Sequence, residues 1–108
     1  MDTLVQQLEM WRQQKEKRHT YRDKVEVPRT VEVFFSFRSQ AGAAKATATL
    51  EELGFTVQSS RRFIRTEVIA KKNIPMTDDF VVPLIHDAAS VAKGFGGKFD
   101  GFAGPVVE

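Results

Sequence analysis

The chain contains no cysteine. Disulfide scaffolds, thiolate metal centres and thiol catalysis are therefore excluded. It has no apolar run close to the roughly 20 residues that cross a bilayer. The opening stretch MDTLVQQLEMWRQQ has no signal-peptide apolar core, so the expected compartment is the cytoplasm and no membrane partner is expected. Tryptophan and tyrosine are scarce, one of each, whereas phenylalanine occurs nine times. Charge of one sign is also in short supply. A net +2 over 108 residues does not by itself mark a nucleic-acid binder. With 42% hydrophobic and 28% charged residues, the composition is that of one small globular domain.

The charge is unevenly placed. Residues 1–30 hold seven basic and five acidic side chains, so the whole net charge lies there, and residues 31–108 are balanced. Within 1–30, Leu4, Leu8 and Trp11 recur at the spacing of one helical face. The segment reads as an N-terminal helix and polar linker ending at Val27-Pro28. A helix this polar needs a surface to lie on. The favoured reading is that it packs on its own domain and partly covers the open sheet face; the alternative is a contact with a partner or with a second copy of the chain, a homodimer through the N-terminal helix with Trp11 among its contact residues.

Residues 31–108 form the second unit. Val31-Glu-Val-Phe-Phe-Ser-Phe37 predicts a strand. Ser39 predicts a helix N-cap, with Ala43, Ala46, Leu50 and Leu53 as the apolar stripe. Gly54 then provides the helix end, with Phe55 folding back on Leu50. Residues 55–59 and 63–71 alternate as two strands, joined by a hairpin at Ser60, Arg61 and Arg62. Thr77-Asp78-Asp79 predicts a second helix start, with Met76 and Val81 placed to pack together. Pro83 suggests that the regular helix begins late. Phe80, Leu84, Ala88 and Val91 are its expected inner side. The glycines at 94, 96 and 97 stop it, and residues 98–102 form the last strand.

This order, β-α-β followed by β-α-β, predicts an α+β ferredoxin-like split β-α-β sandwich: a four-stranded antiparallel sheet and two helices, preceded by an N-terminal helix. Strand parity then sorts the faces. Val31, Val33, Phe35, Phe37, Phe55, Val57, Ile64, Val68, Ala70 and Phe99 are expected toward the helices. Glu32, Phe34, Ser36, Arg38, Arg65, Glu67, Ile69, Asp100 and Phe102 are expected on the other, open face.

Catalysis has little support in these residues. His19 and His86 each lack a partner at ligand spacing. Asp78-Asp79 reads as a helix start, so no metal is expected. Gly94-Phe-Gly96-Gly97-Lys98-Phe99 begins like a dinucleotide fingerprint, but Phe99 stands where the third glycine is required and the segment follows a helix instead of a strand. No cofactor and no catalytic residue is assigned. RNA is a more serious candidate. Phe34 and Arg65 lie on the face that RNA-recognition domains use, with Arg38, Arg61 and Arg62 available to phosphates. Against it, Glu32, Glu67 and Asp100 share that face.

Gly96-Gly-Lys-Phe-Asp-Gly-Phe102 resembles the Gly-Gly-x-Tyr-Asp-Gly-Trp signature of the regulator of ribonuclease E activity B family, with Phe99 and Phe102 at the Tyr and Trp positions. Leu50-Glu-Glu-Leu-Gly-Phe-Thr-Val57 and Val68-Ile-Ala-Lys71 are similar to that family's first-helix ending and third strand. The resemblance implies a ferredoxin-like sandwich and a cytoplasmic protein that binds ribonuclease E and restrains RNA decay, without catalytic residues or cofactor. Asp100, Gly101 and Phe102 fall on the motif positions. The expectation is therefore a non-enzymatic regulatory or adaptor domain acting by protein binding. Its contact residues are expected to be Phe34, Arg38, Arg65, Asp100, Phe102 and Trp11. The alternatives are an RNA-binding module on the open face and a small-ligand-binding domain.

Overall fold

The computed structural model describes residues 3–108. Its elements run α1 (Thr3–Thr20), β1 (Arg29–Phe37), α2 (Gln40–Glu52), β2 (Thr56–Arg62), β3 (Arg65–Ile74), α3 (Asp78–Gly94) and β4 (Gly97–Ala103). The sheet is antiparallel throughout, in the order β2-β3-β1-β4. This is the expected α+β, ferredoxin-like arrangement with an added N-terminal helix.

Local chemistry explains most of the boundaries. The Ser39 hydroxyl accepts the Gly42 amide at 3.2 Å and caps α2. At the other end, Gly54 takes a left-handed φ of 95°. There the Phe55 amide donates to the Leu50 carbonyl and the Gly54 amide to the Glu51 carbonyl, both at 3.0 Å. Phe55 is buried beside this ending, whereas Leu53, expected in the stripe, is the C-cap residue and is exposed.

The helix α3 begins at Asp78 and runs continuously through Pro83, earlier than the proline alone suggested. Pro83 is exposed and falls in the second turn, where only one carbonyl loses its donor. The inner stripe is Val81, Leu84, Ile85, Ala88, Val91 and Ala92, and Phe80 points outward. Met76, just before the helix, and Val81 in its first turns are both buried in the core.

The hairpin between β2 and β3 also differs from expectation. Arg62 pairs with Arg65, so the turn is the two residues Phe63 and Ile64. Phe63 adopts φ 48° and is 98% exposed. Ile64, assigned to the core by parity, is 79% exposed because it sits in the turn and belongs to neither strand face.

Beneath α2 and α3 lies a core built from Val31, Val33, Phe35, Phe37, Val68, Ala70 and Phe99 of the sheet. Phe35 is packed between Phe37 and Phe99, with ring centroids 6.2 and 5.8 Å away. Each such ring contributes roughly 2–3 kcal/mol by its burial.

The first helix does not cross the open face. It lies in the helical layer against α3. Trp11 is 2% exposed, packs 6.3 Å from the Phe102 ring, and donates its indole N–H to Asp78 Oδ1 at 2.8 Å. Lys15 reaches the same carboxylate at 3.1 Å. The Trp11 hydrogen bond, followed by Lys15, holds the Asp78 carboxyl below its ordinary value. Leu4 and Leu8 pack on the same core.

A buried ionic knot closes the far end of α1. Asp23 accepts Arg29 Nη1 at 2.6 and 2.8 Å, Arg18 Nη1 at 2.7 Å and the Val107 amide at 3.1 Å. Arg18 also donates to the Gly104 carbonyl, and Arg29 to the carbonyls of Lys24, Val27 and Pro105. The linker after α1 is therefore pinned to the start of β1 and to the C-terminal residues.

Candidate functional site

The helices occupy one side of the sheet, and its other face is uncovered. Strand pairing arranges that face in rows. Gln58, Ile69, Phe34 and Gly101 form one row, and Thr56, Lys71, Glu32 and Ala103 the next toward one end. On the opposite side come Ser60, Glu67, Ser36 and Lys98, then Arg62 and Arg65, with Arg38 just beyond Phe37. Phe34 and Ile69, half-buried, form the apolar centre. Gly101 leaves Phe34 without a side-chain neighbour on the β4 side, and a Cβ built there would meet nothing within 4 Å.

Charges surround this centre. Glu32 stands across from Lys71 in register. Arg62 meets Glu67 at 3.2 Å, and Lys98 approaches Asp100 at 4.0 Å. Such exposed pairs contribute roughly 0–1 kcal/mol each, so they leave the face adaptable. Arg38, Arg65, Lys98 and Ile64 line a shallow recess of about 440 Å³ at the hairpin end.

Two of the expected contact residues are elsewhere. Phe102 is 8% exposed and faces the helices. The cause is a bulge: Phe34 pairs with Gly101 but Phe35 pairs with Phe99, so Asp100 is an extra residue. Gly101, at φ 150°, absorbs the distortion, and Phe99 and Phe102 end on the same side. Parity counting assumes an unbroken strand and so placed Phe102 on the wrong face. Trp11 is likewise enclosed within its own chain. Phe34, Arg38, Arg65 and Asp100 remain together on or at the end of the open face.

The Asp-Gly pair of the motif thus has a structural task, creating the bulge that turns Phe102 inward against Trp11. A second recess, about 650 Å³, lies between α1, α3 and β4, bordered by Thr3, His86, Ser90, Lys93 and Phe99. His19 and His86 are both exposed, on separate helices. Among the described residues, no group of three or more His, Cys, Asp or Glu side chains converges, and no helix is long and apolar enough to cross a membrane.

Sequence reasoning missed the Asp23 knot and the Phe63-Ile64 tip. The knot's residues look like any solvated charges in a polar linker. A signal for the tip did exist: a turn shifted by two residues keeps both strands alternating.

No curated protein matches the chain. A family model does, over residues 19–103, and its description is regulator of ribonuclease activity B. The matched span includes Asp23 and Arg29 of the knot, all four strands, both sheet-packed helices and the bulge that carries the Asp-Gly motif, whereas Arg18 and Val107 fall just outside it. The chain belongs to the regulator of ribonuclease activity B family.

Proposed function

We propose that the chain is a non-enzymatic cytoplasmic regulator that binds a ribonuclease E-type protein through its open sheet face and so restrains RNA decay. The observation that carries this reading is the uncovered face itself, with half-buried Phe34 and Ile69 at its centre and adaptable charges around them. A central apolar anchor inside a polar rim is the usual anatomy of a protein interface. Arg38, Arg65 and Asp100 belong to the rim. The 31–108 unit supplies this surface, and the 1–30 segment braces it from the opposite side. The stripe Leu4, Leu8 and Trp11 is used within the chain, so a homodimer through α1 would have to use the other side of that helix.

Calorimetric titration into purified ribonuclease E tests the proposal. The expected result is saturable binding that the double substitution Phe34→Ser with Ile69→Ser weakens about tenfold or more. Thermal melting checks that the variant is folded. Absence of wild-type binding at micromolar concentrations would overturn the reading, and so would unchanged binding by the folded variant.

A further inference from the structure

We infer that the hairpin end of the sheet, at the rim of the Phe34–Ile69 surface, is a contact site for single-stranded RNA. Each of the four strands delivers a cation to this end: Arg62 from β2, Arg65 from β3, Arg38 directly after β1, and Lys98 from β4. Neighbouring strands lie about 4.8 Å apart, so the row crosses the sheet over roughly 14 Å. Arg61 emerges beside it on the other side of the hairpin.

The nearby acids offset only two of the four cations in this row. Glu67 is engaged by Arg62 and Asp100 by Lys98. Arg38, Arg61 and Arg65 have no ion pair among the described residues. Of the other arginines, Arg12, Arg18, Arg29 and Arg62 are paired among the described residues, and Arg22, just after α1, is not. Three arginines without a carboxylate partner thus collect at one edge of a domain whose total charge is balanced. The recess between Arg38, Arg65 and Lys98 has no acidic residue in its wall.

The tip adds what a polyanion alone does not need. Phe63 is 98% exposed and holds φ 48°, a turn position that glycine or asparagine fills at lower cost. Its ring contributes nothing to the core, yet both of its faces are open. Ile64 stands between it and the arginines and lines the recess. Guanidinium groups on phosphates, with an exposed ring on which a base can stack, are the two parts of a single-strand contact. The occupant is therefore a short stretch of single-stranded RNA, bound with little sequence preference.

Fluorescence anisotropy with a labelled 12-nucleotide single-stranded RNA and the full chain tests this. Binding should weaken with salt at a log–log slope of about −2 to −3, as expected for three or four neutralised phosphates. Arg38→Glu with Arg65→Glu should reduce affinity at least tenfold and flatten the slope. Phe63→Asn keeps the turn, because asparagine tolerates a left-handed φ, and should weaken binding several-fold at unchanged slope. Phe34→Ser should leave RNA binding unchanged. The same assay is run against a labelled polyglutamate peptide and vesicles containing phosphatidylglycerol. No RNA binding at 50 mM salt overturns the inference. Equal binding of polyglutamate with no effect of Phe63→Asn overturns it in favour of an acidic protein partner. Tighter, Phe63-dependent binding to vesicles overturns it in favour of a membrane surface. None of these outcomes bears on ribonuclease E binding, which is measured separately.

Discussion

Replacing Asp23 with alanine should cost the protein a large part of its stability. The Asp23 side chain is fully buried, and those of Arg29 and Arg18 are 3% and 8% exposed. In Asp23→Ala, two guanidinium groups stay out of water with no counter-charge, and the Val107 amide loses its acceptor. Breaking a buried ion pair from one side costs about 3–5 kcal/mol. The whole domain is worth on the order of 5–15 kcal/mol. The melting temperature should therefore fall on the order of 10–20 °C. Equilibrium urea unfolding, followed by the fluorescence of buried Trp11, measures the loss as a lower midpoint at nearly constant slope. Adding Arg29→Met should restore part of the loss, since one unpaired charge is removed with little change in packing. A loss below about 1 kcal/mol, or strict additivity of the two substitutions, would refute the argument.

The same knot predicts a pH dependence. Burial pushes the Asp23 carboxyl up, but hydrogen bonds from Arg29, Arg18 and the Val107 amide, with the Arg29 charge, outweigh it. The folded value lies below the ordinary 3.8. The unfolded chain therefore takes up the proton first as the pH falls. The stabilisation is complete above the unfolded value and is lost as the pH drops from there through the folded value. Asp23→Ala should remove this part of the acid sensitivity. Substitutions at three further positions test the packing. Gly97→Ala places a Cβ 2.2 Å from Cε1 of the enclosed Phe37 ring; overpacking of this kind costs about 1–3 kcal/mol, whereas Gly94→Ala, with nothing within 4 Å, should be neutral or slightly stabilising in the same thermal assay. Trp11→Phe keeps most of the apolar contact with Phe102 but deletes the hydrogen bond to Asp78, so it should cost about 1 kcal/mol, against about 3–5 kcal/mol for Trp11→Ala in urea unfolding.

The distribution of these effects follows how far each signal travels along the chain. The Ser39 cap, the Gly54 helix ending, the alternation of Val31, Val33, Phe35 and Phe37, and the Asp100-Gly101 motif are all decided within a few residues. The amino-acid order alone therefore specified the strands, both sheet-packed helices, their topology and most of the core. It also brought out Phe34 and Arg65 as surface groups, because period-2 parity in an unbroken strand needs no knowledge of the partner strand, and Arg38 and Asp100 as polar groups beside them, Arg38 past the end of β1 and Asp100 at the bulge.

Where parity is interrupted, only the folded chain decides. The bulge at Asp100 exists because β4 must register against β1, and it sent Phe102 to the helical side. The turn at Phe63-Ile64 exists because Arg62 pairs with Arg65, and it turned Ile64 from a core residue into an exposed one. The place of α1 was settled by Trp11 and Asp78, 67 positions apart, and the Asp23 knot by partners at positions 18, 29 and 107. The Trp11–Asp78 and Asp23–Val107 contacts leave no periodic trace because their partners are far apart in the chain, and Arg18 and Arg29, only five and six residues from Asp23, look like any charges in a polar linker. Sequence thus determined the fold and the family, and tertiary structure decided which aromatic and charged side chains remain outside to meet a partner.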